Sequence, residues 1–376
     1  MNKKFFLFAL LVCMAGSLFA QRGDSDVKTV LFLIPFYSSQ YDSQKVAEAK
    51  TSEDVELISS FQLMGFWAGA QVALDEYEAA GVPLKVVVRD VSNSETKLRA
   101  ILDNKELMSS VDLIIGPFFS KQFAIAARYA REYNIPIVNP FTTRSDIIKN
   151  NEYVYKLSPE AEARPATIAF VAETYPKHQI ILYADSVKDA KEYKTYSNYF
   201  RSKKIPFKYV SVAGNIVNEI QNDRKNIVVM FSKDPAKMLM VSRDLIFKTD
   251  LNNLMLIVPE EWMESKTYDI EYYSKLNLHY FSDYYVDNQS EKTQVFVHKY
   301  KEKFGVPPTL DYFSYQGYDI TRFFVEYLRN DKDIDRVKVE SIAYPLSFDK
   351  TEGNGYENIN VQFLEVRDNE IIPVGL

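Results

Sequence analysis

Short apolar runs alternate with amphipathic stretches along most of the chain. A continuous apolar run such as 27–36 is typical of a buried strand. The stretches between the apolar runs, such as 120–133, carry apolar side chains at helical spacing. Repeated strand–helix units of this kind predict parallel sheets with helices on both faces, which is an α/β fold.

The pattern assigns most of the chain to one element or the other. Strands are predicted at 27–36, 84–90, 111–116, 135–140, 179–185, 207–212, 226–232, 254–260 and 278–286, and near 343–348, 358–366 and 370–374. Helices are predicted at 59–80, 94–108, 120–133, 193–203, 235–247, 291–304 and 314–329. These are too many strands for one comfortable sheet, and the rhythm restarts near residue 160, so the pattern predicts two lobes.

Length and charge narrow the function classes. The chain has 376 residues, enough for about two or three domains of ~100–200 residues each. Its net charge is −6, which argues against nucleic acid or an anionic membrane as the main partner. The 26 tyrosines and 25 phenylalanines are expected mostly in cores and sheet faces.

The N-terminus, residues 1–20, has the features of a cleavable secretory signal. A positive start precedes an apolar core at 5–14 and a small-residue cleavage site at Ala20. The sole cysteine, Cys13, is a less favoured lipid-anchor site, because the preceding Leu11-Val12 lacks the small residue such a site needs. A mature chain cut after Ala20 has no cysteine for disulfides, thiol catalysis or metal binding.

Signals for catalysis, cofactors and metals are missing from the sequence. The three histidines lie in unrelated segments, and neither GxxxxGK[ST] nor GxGxxG occurs. The acidic run 331–335 does not fit a calcium loop, since Arg336 stands where Gly is needed and Ile342 where a bidentate Glu belongs. The sequence therefore predicts a non-enzymatic protein without cofactor or metal.

Several motifs resemble the type I periplasmic binding proteins, in the branch of leucine/isoleucine/valine receptors. They are GPFFS (116–120), IPIVNPFTTRSDI (135–147) and YVYKLSPE (153–160). Further motifs are similar to a subgroup with some members fused to LysM peptidoglycan-binding modules: PEEW (259–262), YYSKLNLHYFSDYYVD (272–287) and YQGYDITRFFVEYL (315–328).

The resemblance implies two Rossmann-like lobes, joined by three crossovers, that close on a ligand in a periplasmic cleft. The crossovers are expected near residues 157, 286 and 336. The implied N-lobe is 27–156 plus 287–335, and the implied C-lobe is 157–286 plus 336–376.

Hydroxyl-bearing turns follow two neighbouring strands of the predicted N-lobe. Ser120 comes after the first, and Thr142 and Thr143 come after the second. The resemblance implies that Ser120, Thr143 and the backbone at Phe141 bind a ligand carboxylate, and free N–H groups at helix N-termini suit an anion. The alternative is that these residues only cap helices.

A second group of candidates follows a strand of the predicted C-lobe. The resemblance implies that Glu260 or Glu261 takes the ligand's ammonium, with Trp262 as a wall for cation or ring stacking. The alternative is a pair of acids favoured by a helix start. Tyr37, after the first strand, is a weaker cleft candidate whose alternative role is packing.

One segment departs from the amino-acid receptors. They carry a Tyr-Gly step after the first C-lobe strand, whereas this chain has Asp185 to Asp189, DSVKD. After the third C-lobe strand, where the amino-acid receptors commonly have an aromatic residue, this chain has Phe231 to Asp234, FSKD. These departures make an ordinary free amino acid a less favoured ligand.

Two function hypotheses follow. The first is a periplasmic solute-binding receptor that captures an amino acid, peptide or cell-wall fragment for an ABC permease or a sensor. The alternative is an envelope interaction protein that uses the same fold to regulate peptidoglycan or surface assembly without transport.

Overall fold

The computed structural model describes residues 27–40, 48, 63–142, 144–185, 190–263, 270–308, 313–350 and 353–375. The proposed signal at 1–20 lies outside these described residues. Within them the chain divides into two compact units, and each contains one seven-stranded sheet. The predicted two-lobed α/β fold with mostly parallel sheets is confirmed.

The first unit comprises the described residues up to Pro159 together with Val286–Asn360. Its strands are β1 (Lys28–Ile34), β2 (Leu84–Asp90), β3 (Leu113–Ile115), β4 (Ile137–Asn139), β5 (Val154–Lys156), β11 (Phe348–Lys350) and β12 (Tyr356–Asn358). Its helices are α1 (Met64–Ala79), α2 (Glu95–Leu102), α3 (Lys105–Ser110), α4 (Ser120–Glu132), α10 (Glu291–Phe304) and α11 (Phe313–Arg329).

The second unit comprises Glu160–Tyr285 and the chain from Val361 onward. Its strands are β6 (His178–Tyr183), β7 (Lys208–Val210), β8 (Lys225–Met230), β9 (Leu254–Val258), β10 (Leu278–Ser282), β13 (Gln362–Arg367) and β14 (Glu370–Pro373). Its helices are α5 (Ala163–Glu173), α6 (Ala190–Ser202), α7 (Ile216–Glu219), α8 (Pro235–Lys248) and α9 (Ile270–Lys275).

The two sheets repeat one strand order. The first runs β11-β12-β5-β4-β3-β1-β2 and the second β14-β13-β10-β9-β8-β6-β7. In each unit the first five strands along the chain are parallel and follow the order 2-1-3-4-5. The direction in which successive strands are added to the sheet reverses between β1 and β3, and again between β6 and β8. The loops at the carboxyl ends of these strands diverge there, which is where open α/β sheets bind ligands.

Apolar runs and close helix packing account for the first unit's core. Strand β1, which lies between β3 and β2, is fully buried from Val30 to Ile34, as its continuous apolar run predicts. Helices α1 and α11 cross at two glycines: a Cβ on Gly69 would lie 1.7 Å from the Ser314 carbonyl oxygen, and one on Gly317 would lie 1.9 Å from that of Phe66. Only glycine permits this approach.

The structure differs from the predicted elements in several places. The short helices α7 and α9 were not predicted, and the strand predicted at 358–366 is divided between β12 and β13. Helix α5 and the short strand β5 are present although the pattern assigned no element there, and the helix predicted at 94–108 is split into α2 and α3. The strand predicted at 343–348 is instead β11, which begins at Phe348.

The third predicted crossover also differs from the structure. Residues 336–360 were assigned to the C-lobe but lie in the first unit. The physical reason is strand pairing: β12 extends the first sheet parallel to β5, with Tyr356 opposite Tyr155, and the two rings stack at 4.5 Å.

Candidate functional site

A charged depression of about 220 Å³ lies at the carboxyl ends of β8, β9 and β10 in the second unit. Helices α5 and α6 each contribute one charged side chain to it, and the loops after β8 and β9 contribute the rest. Its lining consists of Arg164, Glu192, Tyr196, Val229, Met230, Phe231, Lys233, Ile257, Val258, Pro259, Glu260, Glu261 and Phe281.

Glu260 is the half-buried acid of this depression. Its Oε1 accepts a hydrogen bond of 2.7 Å from the Ser282 hydroxyl at the end of β10. Burial raises the pKa of Glu260 above its ordinary value, against the opposing effect of the Ser282 hydrogen bond. A positive ligand group placed here would relieve that cost, because an opposite charge favours the ionised carboxylate.

Cationic side chains stand beside the acids. The Arg164 guanidinium is 3.4 Å from Asp283 and lies 5.9 Å from the centre of the Phe281 ring. Lys233 forms an ion pair with Glu261, and this pair is about half exposed. The hydrogen bond to Glu261 raises the pKa of Lys233. The depression therefore offers both signs of charge, which suits a zwitterionic or dipolar ligand.

Trp262 does not form the predicted wall. Its side chain is 2% exposed and packs in the hydrophobic core of the second unit. The indole Nε1 donates to the Ser232 carbonyl oxygen at 3.0 Å, and the Tyr273 hydroxyl donates to the Trp262 carbonyl oxygen at 2.7 Å. Trp262 thus connects the loops after β8 and β9 on their core side, and its role is structural.

Part of the departing segment after β6 can be placed. Asp185 forms an ion pair of 2.5 Å with Lys237 at the start of α8, whereas 186–189 lies outside the described residues. The FSKD segment after β8 contributes Phe231 and Lys233 to the depression. These two side chains stand at the switch point of the second sheet, between β6 and β8.

Ser120 begins α4 at the carboxyl edge of the first sheet. The N-cap position belongs to Phe119, which makes no side-chain capping bond, so Ser120 is not the predicted cap residue. Its half-exposed hydroxyl stands at the switch point between β1 and β3. Thr143, the second predicted hydroxyl, lies outside the described residues.

Asn139, the last residue of β4, forms hydrogen bonds with the amides that were predicted to bind an anion. Its Oδ1 accepts from the backbone N–H groups of Phe141 at 2.9 Å and Thr142 at 2.7 Å. Its Nδ2 donates to the Pro117 carbonyl oxygen at 3.1 Å. Thr142 is 5% exposed, and its hydroxyl accepts from the Arg144 N–H. The prediction of free amides at Phe141 is therefore wrong, because a buried side chain on the preceding strand already satisfies them.

Tyr37 is held in an unusual backbone conformation after β1. Its φ is 51°, a left-handed value that costs energy for a bulky residue. The Asp90 carboxylate at the end of β2 accepts from the Tyr37 N–H at 3.2 Å and the Ser38 N–H at 2.9 Å. Burial, with Asp90 nearby, raises the pKa of the Tyr37 phenol. The loop is fixed, and its half-buried Tyr37 stays a candidate contact.

Sequence patterns pointed to part of the second unit's site and missed the rest. Glu260 and Glu261 both line the depression, as their position after a strand suggested. Arg164 was missed because α5 was not predicted. Ser282 was missed because its hydrogen bond to Glu260 joins the end of β10 to the loop after β9. The local signal for Arg164 is its position in the first turn of α5.

The described residues lack both a metal-binding cluster and a membrane-spanning helix. They contain no group of three or more His, Cys, Asp or Glu side chains arranged to hold a metal ion. None of the helices within those same ranges is both long and apolar enough to cross a membrane.

Three solved structures share this fold at low sequence identity. A protein assigned as a branched-chain amino acid ABC transporter of Rhodospirillum rubrum has a TM-score of 0.62 at 13% identity, covering 93% of this chain and 100% of its own. A Desulfitobacterium hafniense ABC transporter substrate-binding protein in complex with Leu has a TM-score of 0.52 at 16% identity, with the same coverages of 93% and 100%. The C-domain of Haemophilus influenzae LpoA, a regulator of PBP1A, has a TM-score of 0.54 at 12% identity, covering 93% and 100%.

The fold and its two sheet edges define a class, the type I periplasmic binding proteins. Residues 70–320 match the family model described as the receptor family ligand binding region, and the chain belongs to that family. The family model describes a ligand-binding region, and one of these solved structures is a substrate-binding protein. A search of curated proteins finds no significant match.

Proposed function

We propose that this protein is a periplasmic solute-binding receptor that captures a small polar ligand for an ABC permease or a sensor. The observation that carries the proposal is the depression of the second unit, where Glu260, Arg164 and Lys233 meet at the carboxyl edge of the sheet. Candidate ligands are an amino acid, a peptide or a cell-wall fragment. The secretory signal predicted at 1–20 would agree with export to the periplasm.

Glu260 takes the cationic end of the ligand in this proposal. A ligand ammonium beside the half-buried carboxylate would favour its ionised form and lower its pKa. Binding should therefore strengthen as pH rises through the pKa of Glu260, because the protein then releases no proton on binding. Arg164 and Lys233 take a ligand anion, while Ser120, Thr143 and Tyr37 stay as first-unit candidates.

A thermal-shift screen of the mature protein tests this function. The panel comprises amino acids, short peptides, nucleosides and muropeptides. A ligand at ~100 times its dissociation constant should stabilise the protein by about 2.7 kcal/mol. Glu260→Gln should abolish the shift of any ammonium-bearing ligand, whereas Glu173→Gln, an exposed acid of the same unit, should preserve it. A full shift in Glu260→Gln would contradict the assigned role, and a flat panel would contradict solute capture.

A second candidate function is regulation of envelope assembly. Two observations favour it: the amides near Phe141 are satisfied internally by Asn139, and the fold matches the LpoA C-domain about as well as the Leu-bound receptor. A relationship to the LysM-fused subgroup would agree with a peptidoglycan partner.

Co-sedimentation with isolated peptidoglycan, run beside the thermal-shift panel, separates the two functions. A receptor responds to soluble ligands and stays in the supernatant. A regulator shows no response to free solutes but pellets with peptidoglycan or with a partner cell-wall synthase.

A further inference from the structure

Four phenylalanines gather at the carboxyl edge of the first sheet. The rings of Phe66 and Phe118 lie 4.9 Å apart, Phe118 and Phe141 also 4.9 Å, and Phe141 and Phe313 5.2 Å. Phe66 and Phe118 are buried, whereas Phe141 and Phe313 are half-buried. We call these four residues the phenylalanine cluster; its outer two rings form an apolar surface where sheets of this order bind ligands.

The two described backbone amides next to this cluster already have partners within the protein. The N–H groups of Phe141 and Thr142 already donate to Asn139, and the Thr142 hydroxyl is buried. A carboxylate placed here would lose its water and find neither amide free, which is costly. An uncharged ring would instead gain apolar burial and edge-to-face contacts.

One buried acceptor at the cluster lacks a partner. Gln316 of α11 is 2% exposed, and its Nε2 donates to the Pro140 carbonyl oxygen at 3.2 Å, directly before Phe141. Its Oε1 has no hydrogen-bond partner among the residues that the structure describes. A buried amide oxygen is normally satisfied, so this atom suits a ligand N–H or O–H group.

We infer that the phenylalanine cluster and Gln316 form a subsite for a flat aromatic ring that carries one hydrogen-bond donor, as in an indole or a phenol. The inference rests on the proposed function and narrows it: the ligand has an aromatic portion that contacts Phe141 and Phe313. The charged depression of the second unit then accounts for polar groups elsewhere on the ligand.

Indole and 1-methylindole test the subsite on the mature full-length protein. Their dissociation constants are measured by saturation-transfer NMR, with cyclohexanol as a donor that lacks an aromatic ring. Indole should bind about fivefold more tightly than 1-methylindole, because only indole can donate to Gln316 Oε1. Cyclohexanol should give no saturation transfer.

Three variants and a control locate the binding. Phe141→Leu and Phe313→Leu keep apolar bulk but remove a ring, and each should weaken indole about fivefold. Gln316→Leu should bring the indole to 1-methylindole ratio close to one. Phe247→Leu, which alters a side chain 80% exposed in the second unit, should change nothing. Because each ring variant is tested alone, loss of folding in one leaves the other decisive.

Equal binding of both indoles, or unchanged affinity in both ring variants, would overturn the subsite. If panel solutes bind while indole does not, the inference fails and the receptor function stands. If indole binds at the cluster while every panel solute is silent, the subsite stands and solute capture fails for the compounds tested.

Discussion

The carboxyl edges of the two sheets share one strand order but present different surfaces. In the first unit the polar residues that end strands, Asp90, Asn139 and Lys156, are all bonded to neighbouring groups of the same unit. In the second unit, β8 and β9 end in the apolar Met230 and Val258. The charged groups there, Lys233, Glu260 and Glu261, come two or three residues later, on loops.

That difference shows how one topology serves two purposes. A polar group at the last position of a strand lies within the sheet, where it must find a partner in the protein. A polar group further along the loop reaches solvent, as the half-exposed Lys233 and Glu261 do. The first edge is therefore rigid and aromatic, and the second is charged and accessible.

The largest expected effect concerns the buried ion pair of the first edge. Lys156 of β5 is fully buried and donates to Glu357 of β12 and to the carbonyl oxygen of Ser158. Lys156→Met should destabilise the first unit by about 3–5 kcal/mol, because it leaves a buried carboxylate without its partner. Urea unfolding followed by circular dichroism measures the loss.

The double variant Lys156→Met/Glu357→Leu is the matched control, and it should recover most of the lost stability since it removes both charges. A single variant within about 1 kcal/mol of the native protein would show that polar groups at this edge are not committed to the fold.

The next effect concerns Asn139. Asn139→Leu removes hydrogen bonds to two backbone N–H groups and one carbonyl in a fully buried position, and should cost about 2–3 kcal/mol. Asn198→Leu, at an exposed site of α6, should change stability by less than about 0.5 kcal/mol. Hydrogen exchange at Phe141 and Thr142 should quicken only in the first variant; unchanged exchange would contradict the role given to Asn139.

Local patterns predicted most of the fold. Strand β2 and helix α10 were predicted with the bounds that the structure shows, because a run of three valines and a regular helical face are local signals. Strand β5 was not predicted, since it is three residues long and includes Lys156. The charge of this buried lysine is balanced by Glu357, which comes 201 residues later.

The candidate site was less predictable than the fold, because its contacts join residues that are far apart in the sequence. The position of Glu260 follows from its place after an apolar strand. That Trp262 is buried while Glu261 is exposed depends on Ser232 and Tyr273, which belong to other elements. Asn139 likewise accepts hydrogen bonds from the N–H groups of Phe141 and Thr142. The sequence did not reveal these bonds, so both amides were predicted to be available to a ligand.

A smaller effect should be visible at Glu260 in the absence of ligand. Burial raises its pKa in the folded protein, so the ionised form is disfavoured and folding is less stable above that pKa than below it. Native stability should therefore rise as pH falls through the folded pKa. Glu260→Gln should gain up to about 1 kcal/mol at pH 7, and the gain should vanish on acidification.

Thermal unfolding between about pH 4 and pH 8 measures this difference. Glu173→Gln again serves as the exposed control and should follow the native curve throughout. A Glu260→Gln variant that is less stable than the native protein at pH 7 would mean that the carboxylate supports the fold, as the polar groups of the first edge do.

The smallest effect is expected for the ion pair between Lys233 and Glu261. Both side chains are about half exposed, so water and salt screen their attraction, and a double-mutant cycle with Lys233→Met and Glu261→Gln should give a coupling below about 0.5 kcal/mol. Because the coupling is weak, Lys233 and Glu261 can each give up the other and bind a ligand instead at little cost in free energy. A coupling above about 2 kcal/mol would instead place this pair with Lys156 and Glu357 as part of the fold, and the contrast between the two edges would be lost.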